Sequence, residues 1–466
     1  MKIKFIGATE CVTGSKHLLI TQSGRQILLD CGLYQGYGKD TDNMNRELGF
    51  DPAQLEAVIL SHGHVDHCGN LPSLIKKGFK GRIYCTPATA DVCDVLLMDS
   101  AHIQQDSHHR SRGARHGNHS HNKPLYTTEQ AAQCLDHFEV VPFDTDFRLN
   151  DEVSFYFSEN GHVIGSSAVN LTVKEGGKVT RLTFTGDIGR YNDPLLKPPA
   201  CFQQADYIIC ESTYGNRVHD MPEDIEHKLL GMIIDTCINK KGKLIIPAFS
   251  LGRTQQILYI LDKLANKKRL PDVPVFVDSP MSVKATSIVR RHARSFNDEL
   301  QQYLTRDPDP FGFASLTYVE DAQESRQLNQ LEEPCVIIAA SGMGDAGRVQ
   351  HHLCHTISDA RNTVLITGYC SPSSLGAKLM RGHRQVHIMD YLLDVNADIH
   401  SIQSLSAHGD REEMVRFLSC QDKNIVKSIF LVHGEAGAKA AFGKRLLKEG
   451  YKHVLVPRKH EEVELN

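Results

Sequence analysis

At 466 residues the chain is too long for a single hydrophobic core, and we expect at least two domains. Its 41% apolar and 23% charged residues are ordinary for a globular protein, and no apolar stretch approaches the length of a membrane span. The net charge of −4 excludes the overall basic surface that nucleic-acid binders commonly carry. Any nucleic acid must then be bound through a local positive cleft or through metal ions.

The 13 cysteines are scattered without a Cys-x-x-Cys pair, which argues against both a disulfide framework and a cysteine-based zinc module. The first residues, Met1–Ala8, form a short strand-like run without the apolar core of a signal peptide. We therefore expect a cytoplasmic protein with no membrane association. The sequence leaves the oligomeric state open, a homodimer included.

Residues 1–208 are rich in short apolar runs separated by Gly, Asn or Asp turns. These runs predict strands at Ile3–Ile6, His17–Thr21, Gln26–Leu29, Ala57–Leu60, Val153–Phe157 and Arg181–Thr185. One biased segment, His102–His121, mixes histidine with Arg, Ser and Gly. It shows no ordered ligand spacing, so we predict a mobile, partly basic loop rather than an extra metal site.

Residues 209–396 alternate apolar strands with amphipathic helices, which predicts an α/β domain with a mainly parallel sheet. The expected strands are Lys243–Pro247, Val275–Val277, Cys335–Ala339 and Val364–Thr367. Residues 397–466 contain a predicted helix at Arg411–Leu418, a strand at Ser428–Val432 and a last helix–strand pair. This third stretch is too small to stand alone, so we expect it to complete the first domain, with the α/β domain inserted between them.

The segment Ser61–His67 brings His62, His64, Asp66 and His67 together directly after an apolar run. Imidazoles and carboxylates are zinc ligands, and four of them cannot all be buried unpaired. In an extended segment His62, His64 and Asp66 project one way and His67 the other, so that two neighbouring metal ions are served. The alternative is a polar surface loop that is rich in histidine by chance.

Further ligands are predicted where other strands end, at His162, Asp187 and His433. Each alone is weak evidence, because a His at a strand end and a Gly-Asp turn are both common. Together with the first motif they supply two nearly tetrahedral sets of ligands, which is strong evidence. Asp30, which closes another strand, could accept hydrogen bonds from the ligand loop and orient its imidazoles. It could equally be a turn-forming Asp.

These residues, in this order, resemble the motifs of β-CASP nucleases in the metallo-β-lactamase superfamily, over essentially the full length. The matching positions are Asp30, His62–His67, His162 and Asp187 for the superfamily motifs, and Glu211, His408 and His433 for the β-CASP additions. The resemblance implies an αββα sandwich formed by residues 1–208 and 397–466, with a β-CASP domain at 209–396.

The resemblance also implies two Zn²⁺ ions per chain, one held by His62, His64 and His162, the other by Asp66, His67 and His433. Asp187 would bridge the two ions. RNA-acting members of the family resemble this chain in having His at position 433, where the DNA-acting branch typically has Val. RNA is therefore the expected substrate, although the acidic net charge argues against tight RNA binding by this chain alone.

The expected chemistry is hydrolysis by a hydroxide that the two zinc ions generate near neutral pH. The resemblance implies that the products carry a 5′-phosphate and a 3′-hydroxyl. We predict that Asp66, Glu211 and His408 take part in catalysis. His408 would be the general acid, kept protonated by a neighbouring carboxylate. The resemblance assigns this second role to Glu211. The alternative is that His408 is only a first-turn residue of the helix that begins near Arg411, and that Glu211 is only a surface residue at a strand end.

Four loops of the predicted α/β domain follow its strands and contain Ser or Gly. Such loops gather at one edge of a parallel sheet, where backbone amides and helix N-termini favour phosphate. We predict that Ser250, Arg253, Ser341 and Gly342 bind RNA phosphates. The alternative for all of these serines is that they cap the helix that follows. We favour this alternative for Ser279 and Ser371.

Two other functions stay open at this point. A hydrolase of small thioesters or lactams shares the first four motifs, but it has no need of an α/β insert or of His408. A non-catalytic RNA-processing scaffold would have lost metal ligands, whereas this chain retains all of them. The sequence does not decide between endonuclease and exonuclease action.

Overall fold

The computed structural model describes residues 1–38, 40–113, 123–219, 224–368, 370–371, 373–402 and 405–466. The chain divides into two compact units, one formed by Met1–Val218 with His408–Asn466 and the other by His219–Ala407. We call them the split unit and the inserted unit. The divisions fall after residues 218 and 407, later in the chain than the predicted domain limits at 208 and 396.

The strands, in chain order, are β1 Lys2–Phe5, β2 His17–Ile20, β3 Gln26–Leu29, β4 Leu55–Ile59, β5 Arg82–Cys85, β6 Phe138–Val140, β7 Phe147–Arg148, β8 Val153–Glu159, β9 Ser167–Glu175, β10 Lys178–Phe184, β11 Tyr207–Cys210, β12 Leu244–Pro247, β13 Val275–Asp278, β14 Leu316–Val319, β15 Val336–Ala339, β16 Thr363–Ile366, β17 Gln385–Ile388, β18 Tyr391–Asp394, β19 Asp398–Ser401, β20 Ser428–Leu431, β21 Val454–Leu455 and β22 Glu462–Glu464.

The helices are α1 Asp40–Arg46, α2 Val65–Cys68, α3 Leu71–Lys76, α4 Pro87–Gly113, α5 Thr128–Leu135, α6 Ile225–Ile233, α7 Arg253–Asn266, α8 Pro280–Arg291, α9 Asp298–Tyr303, α10 Ala322–Gln330, α11 Arg348–Thr356, α12 Leu375–Met380, α13 Arg411–Leu418 and α14 Ala436–Glu449. A π-helical turn, Ile234–Asn239, continues α6. None of the helices in the described ranges combines the length and the apolar character that crossing a bilayer requires.

The split unit contains two sheets, ordered β22-β1-β2-β3-β4-β5-β6 and β21-β20-β11-β10-β9-β8-β7. Side chains from both sheets form one apolar cluster, which includes Ile3 and Ile59 from the first sheet and Phe155 and Phe430 from the second. Strand alternation explains this, because every second side chain of a strand points to the same face. β8, with every second residue buried along most of its length, shows the pattern directly.

Helices cover the outer faces of both sheets. Leu28 and Val58 of the first sheet pack with residues of α3, α4 and α5, among them Leu97. Ile429 of the second sheet packs with residues of α13 and α14, among them Phe442. The predicted αββα sandwich is confirmed.

Strand direction explains where the functional side chains lie. In the second sheet β8, β10, β11 and β20 all run the same way, because β8 and β10 are each antiparallel to β9 and the other pairs are parallel. In the first sheet β3 and β4 are parallel neighbours. The carboxyl ends of the strands therefore meet along one edge of each sheet, and the motif residues follow these ends.

Two local predictions are wrong. Ser61–His67 is not extended throughout, because His64 is the N-cap of the short helix α2, in which Asp66 and His67 lie. Successive helical residues are about 100° apart, so both can face one site, which alternation along a strand would forbid. The predicted His-rich loop at residues 102–121 is helical as far as Gly113, because it continues α4, and residues 114–121 lie outside the described residues.

The inserted unit contains a six-stranded sheet, ordered β14-β13-β15-β12-β16-β19, in which every pair of neighbours is parallel. Helices α7, α8, α11 and α12 follow β12, β13, β15 and β16 in the chain. The predicted mainly parallel α/β fold is therefore confirmed. The loops after these four strands lie at the carboxyl edge of the sheet.

Candidate metal centre

Four buried or half-buried donors converge near the carboxyl ends of β4, β8 and β10. The Nδ1 atom of His64 lies 3.2 Å from Nε2 of His62 and 3.1 Å from Nε2 of His162. The Asp187 carboxylate completes the group, with Oδ2 at 3.6 Å from Nε2 of both His62 and His162. These ligand atoms all lie within 4.8 Å of one another.

A second group of donors lies beside the first. Nε2 of His67 and Nε2 of His433 are 3.3 Å apart, and Oδ2 of Asp66 lies 3.4 Å from the same atom of His433. Oδ2 of Asp187 is 3.3 Å from Nε2 of His67. One carboxylate oxygen of Asp187 therefore faces both groups.

The donor geometry fits tetrahedral zinc. Zinc binds imidazole nitrogen at roughly 2.0–2.1 Å, so tetrahedral ligand atoms stand roughly 3.3 Å apart. The nitrogen pairs of His62 with His64, His64 with His162 and His67 with His433, at 3.2, 3.1 and 3.3 Å, match this spacing. Oδ1 of Asp187 is buried without a hydrogen-bond partner among the described residues. The donors are therefore placed as ligands of a zinc ion would be.

The electrostatics of the site favour a cation. Burial, together with the neighbouring His67, holds the pKa of His62 well below its ordinary value, so this ring is neutral, as a ligand must be. Burial raises the pKa of Asp187, but His433 and His67 outweigh it, and the pKa lies well below its ordinary value. The pKa of His67 is raised well above its ordinary value, because Asp187, Asp66 and Asp30 outweigh its burial. A metal ion must displace this proton, so binding should weaken as the pH falls.

Asp30 lies directly behind the donors and is fully buried. Its Oδ2 is 2.6 Å from Nδ1 of His67 and accepts a hydrogen bond from Oγ of Ser61 at 2.8 Å, while its Oδ1 accepts one from the Ser61 amide at 2.7 Å. Oγ of Ser61 also lies 3.0 Å from Nδ1 of His62. One carboxylate is thus linked to imidazoles of both donor groups.

Two residues that contact the donors were not predicted from the sequence. Ser61 connects Asp30 to His62, and Oγ1 of Thr213 lies 3.0 Å from Nδ1 of His433. Both are hydroxyl residues at or just after strand ends, inside the segments that carry the motifs. That position was the available clue, but which imidazole each residue would meet depends on how the strands are ordered.

His408 and Glu211 lie next to the first donor group. Nδ1 of His408 is 3.2 Å from Oε1 of Glu211, and the His408 ring packs 4.5 Å from the His162 ring between centroids. The buried Glu211 carboxylate also accepts hydrogen bonds from the amides of Ile188 and Thr213. Burial lowers the pKa of His408, but Glu211, with Asp187 and Asp66, outweighs it and raises the pKa to about 9. The ring is therefore protonated at neutral pH.

The candidate phosphate-binding residues lie at the carboxyl edge of the inserted unit. Ser250 and Ser341 are half-buried, and Oγ of Ser341 accepts a hydrogen bond from the Ala346 amide at 3.3 Å. Arg253 is 6% exposed, and its Nη1 donates to Gln256. The caps of the helices are Gly252 before α7, Ser279 before α8, Gly347 before α11 and Ser374 before α12. The cap role is thus confirmed for Ser279, but it is wrong for Ser371.

The sequence matches three family models. They are the metallo-β-lactamase superfamily over residues 17–208, the Beta-Casp domain over residues 254–379 and the Zn-dependent metallo-hydrolase RNA specificity domain over residues 392–457. Ribonuclease TTHA0252 of Thermus thermophilus is 33% identical over 450 residues, which cover 97% of each chain. The chain belongs to the β-CASP family of the metallo-β-lactamase superfamily.

Two further relatives of this β-CASP protein come from Methanocaldococcus jannaschii. Transcription termination factor FttA is 28% identical over 466 residues, covering 98% of this chain and 70% of that protein. An RNase J-like protein is 29% identical over 451 residues, covering 96% of this chain and 95% of that protein. The predicted resemblance to β-CASP nucleases is therefore confirmed over nearly the whole chain.

The role of Asp30 can be tested with Asp30→Asn. Asp30 has a positive φ of 58°, which Asn adopts nearly as readily as Asp, so the turn should persist. The amide lacks the charge that holds the Nδ1 proton of His67, and we expect zinc affinity, measured by chelator competition, to fall roughly 10- to 100-fold. Asp146→Asn, at an exposed position, is the control. If Asp30 only forms the turn, both variants will bind zinc as the unaltered protein does.

Proposed function

We propose that this protein is a zinc-dependent ribonuclease that hydrolyses RNA phosphodiester bonds and leaves a 5′-phosphate and a 3′-hydroxyl. The observation that carries the proposal is the pair of donor groups that share Asp187, with the hydrogen-bonded pair of His408 and Glu211 beside them. Two relatives are named ribonuclease or RNase J-like, and one matching family model describes RNA specificity. RNA is therefore the substrate class that best fits.

We assign His62, His64 and His162 to one Zn²⁺, Asp66, His67 and His433 to another, and Asp187 to both. When bound, the two cations supply the Lewis acidity that makes hydroxide available near neutral pH and stabilises negative charge on the phosphoryl oxygens. Asp30, through His67 and Ser61, keeps the imidazoles oriented with their ligand nitrogens towards the cations.

His408 is the residue that we assign to protonation of the leaving 3′-oxygen. Its Nδ1–H donates to Glu211, so the other ring nitrogen, Nε2, is the one that transfers a proton. The carboxylate of Glu211, which accepts hydrogen bonds from two backbone amides, keeps the His408 ring protonated. The site can then hold a protonated acid at the same pH at which the attacking water is deprotonated. A separate acid and base of this kind suit phosphodiester hydrolysis, in which the alkoxide leaving group needs a proton.

The remaining roles also belong to this proposal. We infer that backbone amides and hydroxyls of Ser250, Ser341 and Gly342 bind RNA phosphates at the carboxyl edge of the inserted sheet. Arg253 would contribute positive charge there, although its side chain is buried. We place the enzyme in the cytoplasm, where 13 cysteines without a disulfide framework stay reduced.

The proposal is tested by incubating the zinc-loaded protein with single-stranded RNA and with DNA of the same sequence. We expect RNA to be cleaved much faster, with product 5′ ends that ligase accepts without prior phosphorylation. RNA with both ends blocked, compared with free-ended RNA, separates endonuclease from exonuclease action. Cleavage of DNA alone would overturn the substrate assignment, and hydrolysis of a thioester with no action on RNA would favour a small-molecule hydrolase.

A further inference from the structure

Phe249 is unusual among the phenylalanines of this chain. All 18 phenylalanines fall within the described residues, and Phe249, which is 40% exposed, is the only exposed one. It directly follows β12 and the buried Ala248 and precedes Ser250. An exposed aromatic ring therefore stands at the carboxyl edge of a parallel sheet, the edge at which α/β folds bind ligands.

The ring has a defined position. A Cβ atom built on Gly342 would lie 2.7 Å from Cδ2 and 2.8 Å from Cε2 of Phe249, so a larger residue at 342 would displace the ring. A Cβ atom on Gly368 would lie 3.9 Å from Cε2. The carbonyl of Phe249 accepts hydrogen bonds from the amide and the hydroxyl of Thr254, at 3.2 and 2.8 Å, which anchor the backbone. One edge of the ring is packed against glycine backbone while much of its surface is open.

We propose that Phe249 stacks on a nucleobase of the single-stranded RNA substrate. This inference rests on the proposed ribonuclease function and adds a contact to the base, where that proposal names only contacts to phosphate. Every nucleobase has an apolar π face, so a positioned aromatic ring binds RNA with little sequence preference. Ser250 and Gly342, assigned to phosphates, adjoin the ring in sequence and in space, so that a base and its phosphate are held at one place.

If Phe249 served only to pack the fold, different results would be expected. If Phe249 only packs within the fold, its truncation should lower the stability of the protein. Any effect on RNA cleavage should then be the same whether or not the RNA carries the base. If Phe249 stacks on a base, its truncation should lower the affinity for intact RNA. The same truncation should have no effect on RNA that lacks the base in question. Because Phe249 is already 40% exposed, truncation should change the melting temperature little.

The experiment measures kcat/KM of the zinc-loaded enzyme on an oligouridylate and on a series of the same RNA with one abasic site moved along it. For the unaltered enzyme we expect one position where the abasic site lowers kcat/KM roughly 5- to 150-fold, the range for stacking of one base. Phe249→Ala and Phe249→Leu should show a similar loss on intact RNA and no further loss at that position. Phe249→Trp should retain the abasic penalty. Tyr391→Ala, which removes another exposed aromatic ring, is the matched control and should behave as the unaltered enzyme.

A second measurement does not depend on catalysis. RNAs that carry one 5-iodouridine, placed at each position in turn, should include one that forms a photocrosslink to the peptide that contains Phe249, and Phe249→Leu should abolish it. If the unaltered enzyme cleaves RNA but Phe249→Leu keeps the full abasic penalty, stacking is wrong and the ribonuclease proposal stands. If no RNA is cleaved but the crosslink maps to Phe249, the ribonuclease proposal fails and stacking on RNA stands.

Discussion

Asp187→Ala should reduce RNA cleavage by at least roughly 10³-fold, because Lewis-acid stabilisation is worth several kcal/mol and about 1.4 kcal/mol is a factor of ten. The reason is the position of Asp187, whose Oδ2 atom lies 3.6 Å from His62 and 3.3 Å from His67, one from each donor group. Removal of this carboxylate should weaken both cation sites. The measurement is the metal content of the purified variant together with its cleavage rate. Asp146→Ala, at an exposed position, should change neither.

A second variant tests how many zinc ions each chain binds. His433 contacts Asp66 and His67 and belongs to the second donor group only, so we expect His433→Ala to retain close to one zinc per chain and the unaltered protein to hold two. A strong chelator should inactivate the unaltered protein, and added Zn²⁺ should restore activity. Full activity in protein free of transition metal, or in Asp187→Ala, would contradict the assignment of this site.

His408→Ala should lower kcat roughly 10²- to 10⁴-fold, the usual contribution of a general acid, with no change in metal content. The loss should shrink for RNA in which the bridging 3′-oxygen at the cleavage site is replaced by sulfur, because a thiolate leaves without protonation. An unchanged rate, or an equal loss on both substrates, would remove His408 from the role of acid. The sulfur substrate also separates this role from a general effect on folding.

The pH dependence gives the same test in another form. A general acid acts while it is protonated, so activity should decline as the pH rises through the pKa of His408. That pKa is about 9 with Glu211, Asp187 and Asp66 all contributing negative charge. Bound cations offset the last two charges, so the decline is expected at or below pH 9. In Glu211→Gln it should move to lower pH, and in His408→Ala it should disappear.

Much of the fold was accessible from local sequence patterns. Gln26–Leu29 and Arg411–Leu418 have the predicted bounds, and the strand–helix alternation of the inserted unit correctly indicated a parallel sheet. These segments are governed by apolar periodicity and by nearby turn residues, which are local properties. Short segments were less accessible. Helix α2, Val65–Cys68, has only one turn, so its sequence cannot show whether the residues repeat with a helical or a strand period. Helix α4 continues into a segment whose composition suggests a loop.

The sequence by itself determined which side chains could hold metal, because His, Asp and Glu follow directly on apolar runs that must be buried strands. It could not determine which donors lie together, since His64 and His162, or His67 and His433, are far apart along the chain. That was decided by the order and direction of strands β4, β8, β10 and β20, whose carboxyl ends meet at one place. The contacts of Ser61, Thr213 and Phe249 have the same origin, because a side chain gains a partner only when separate strands bring two backbones together.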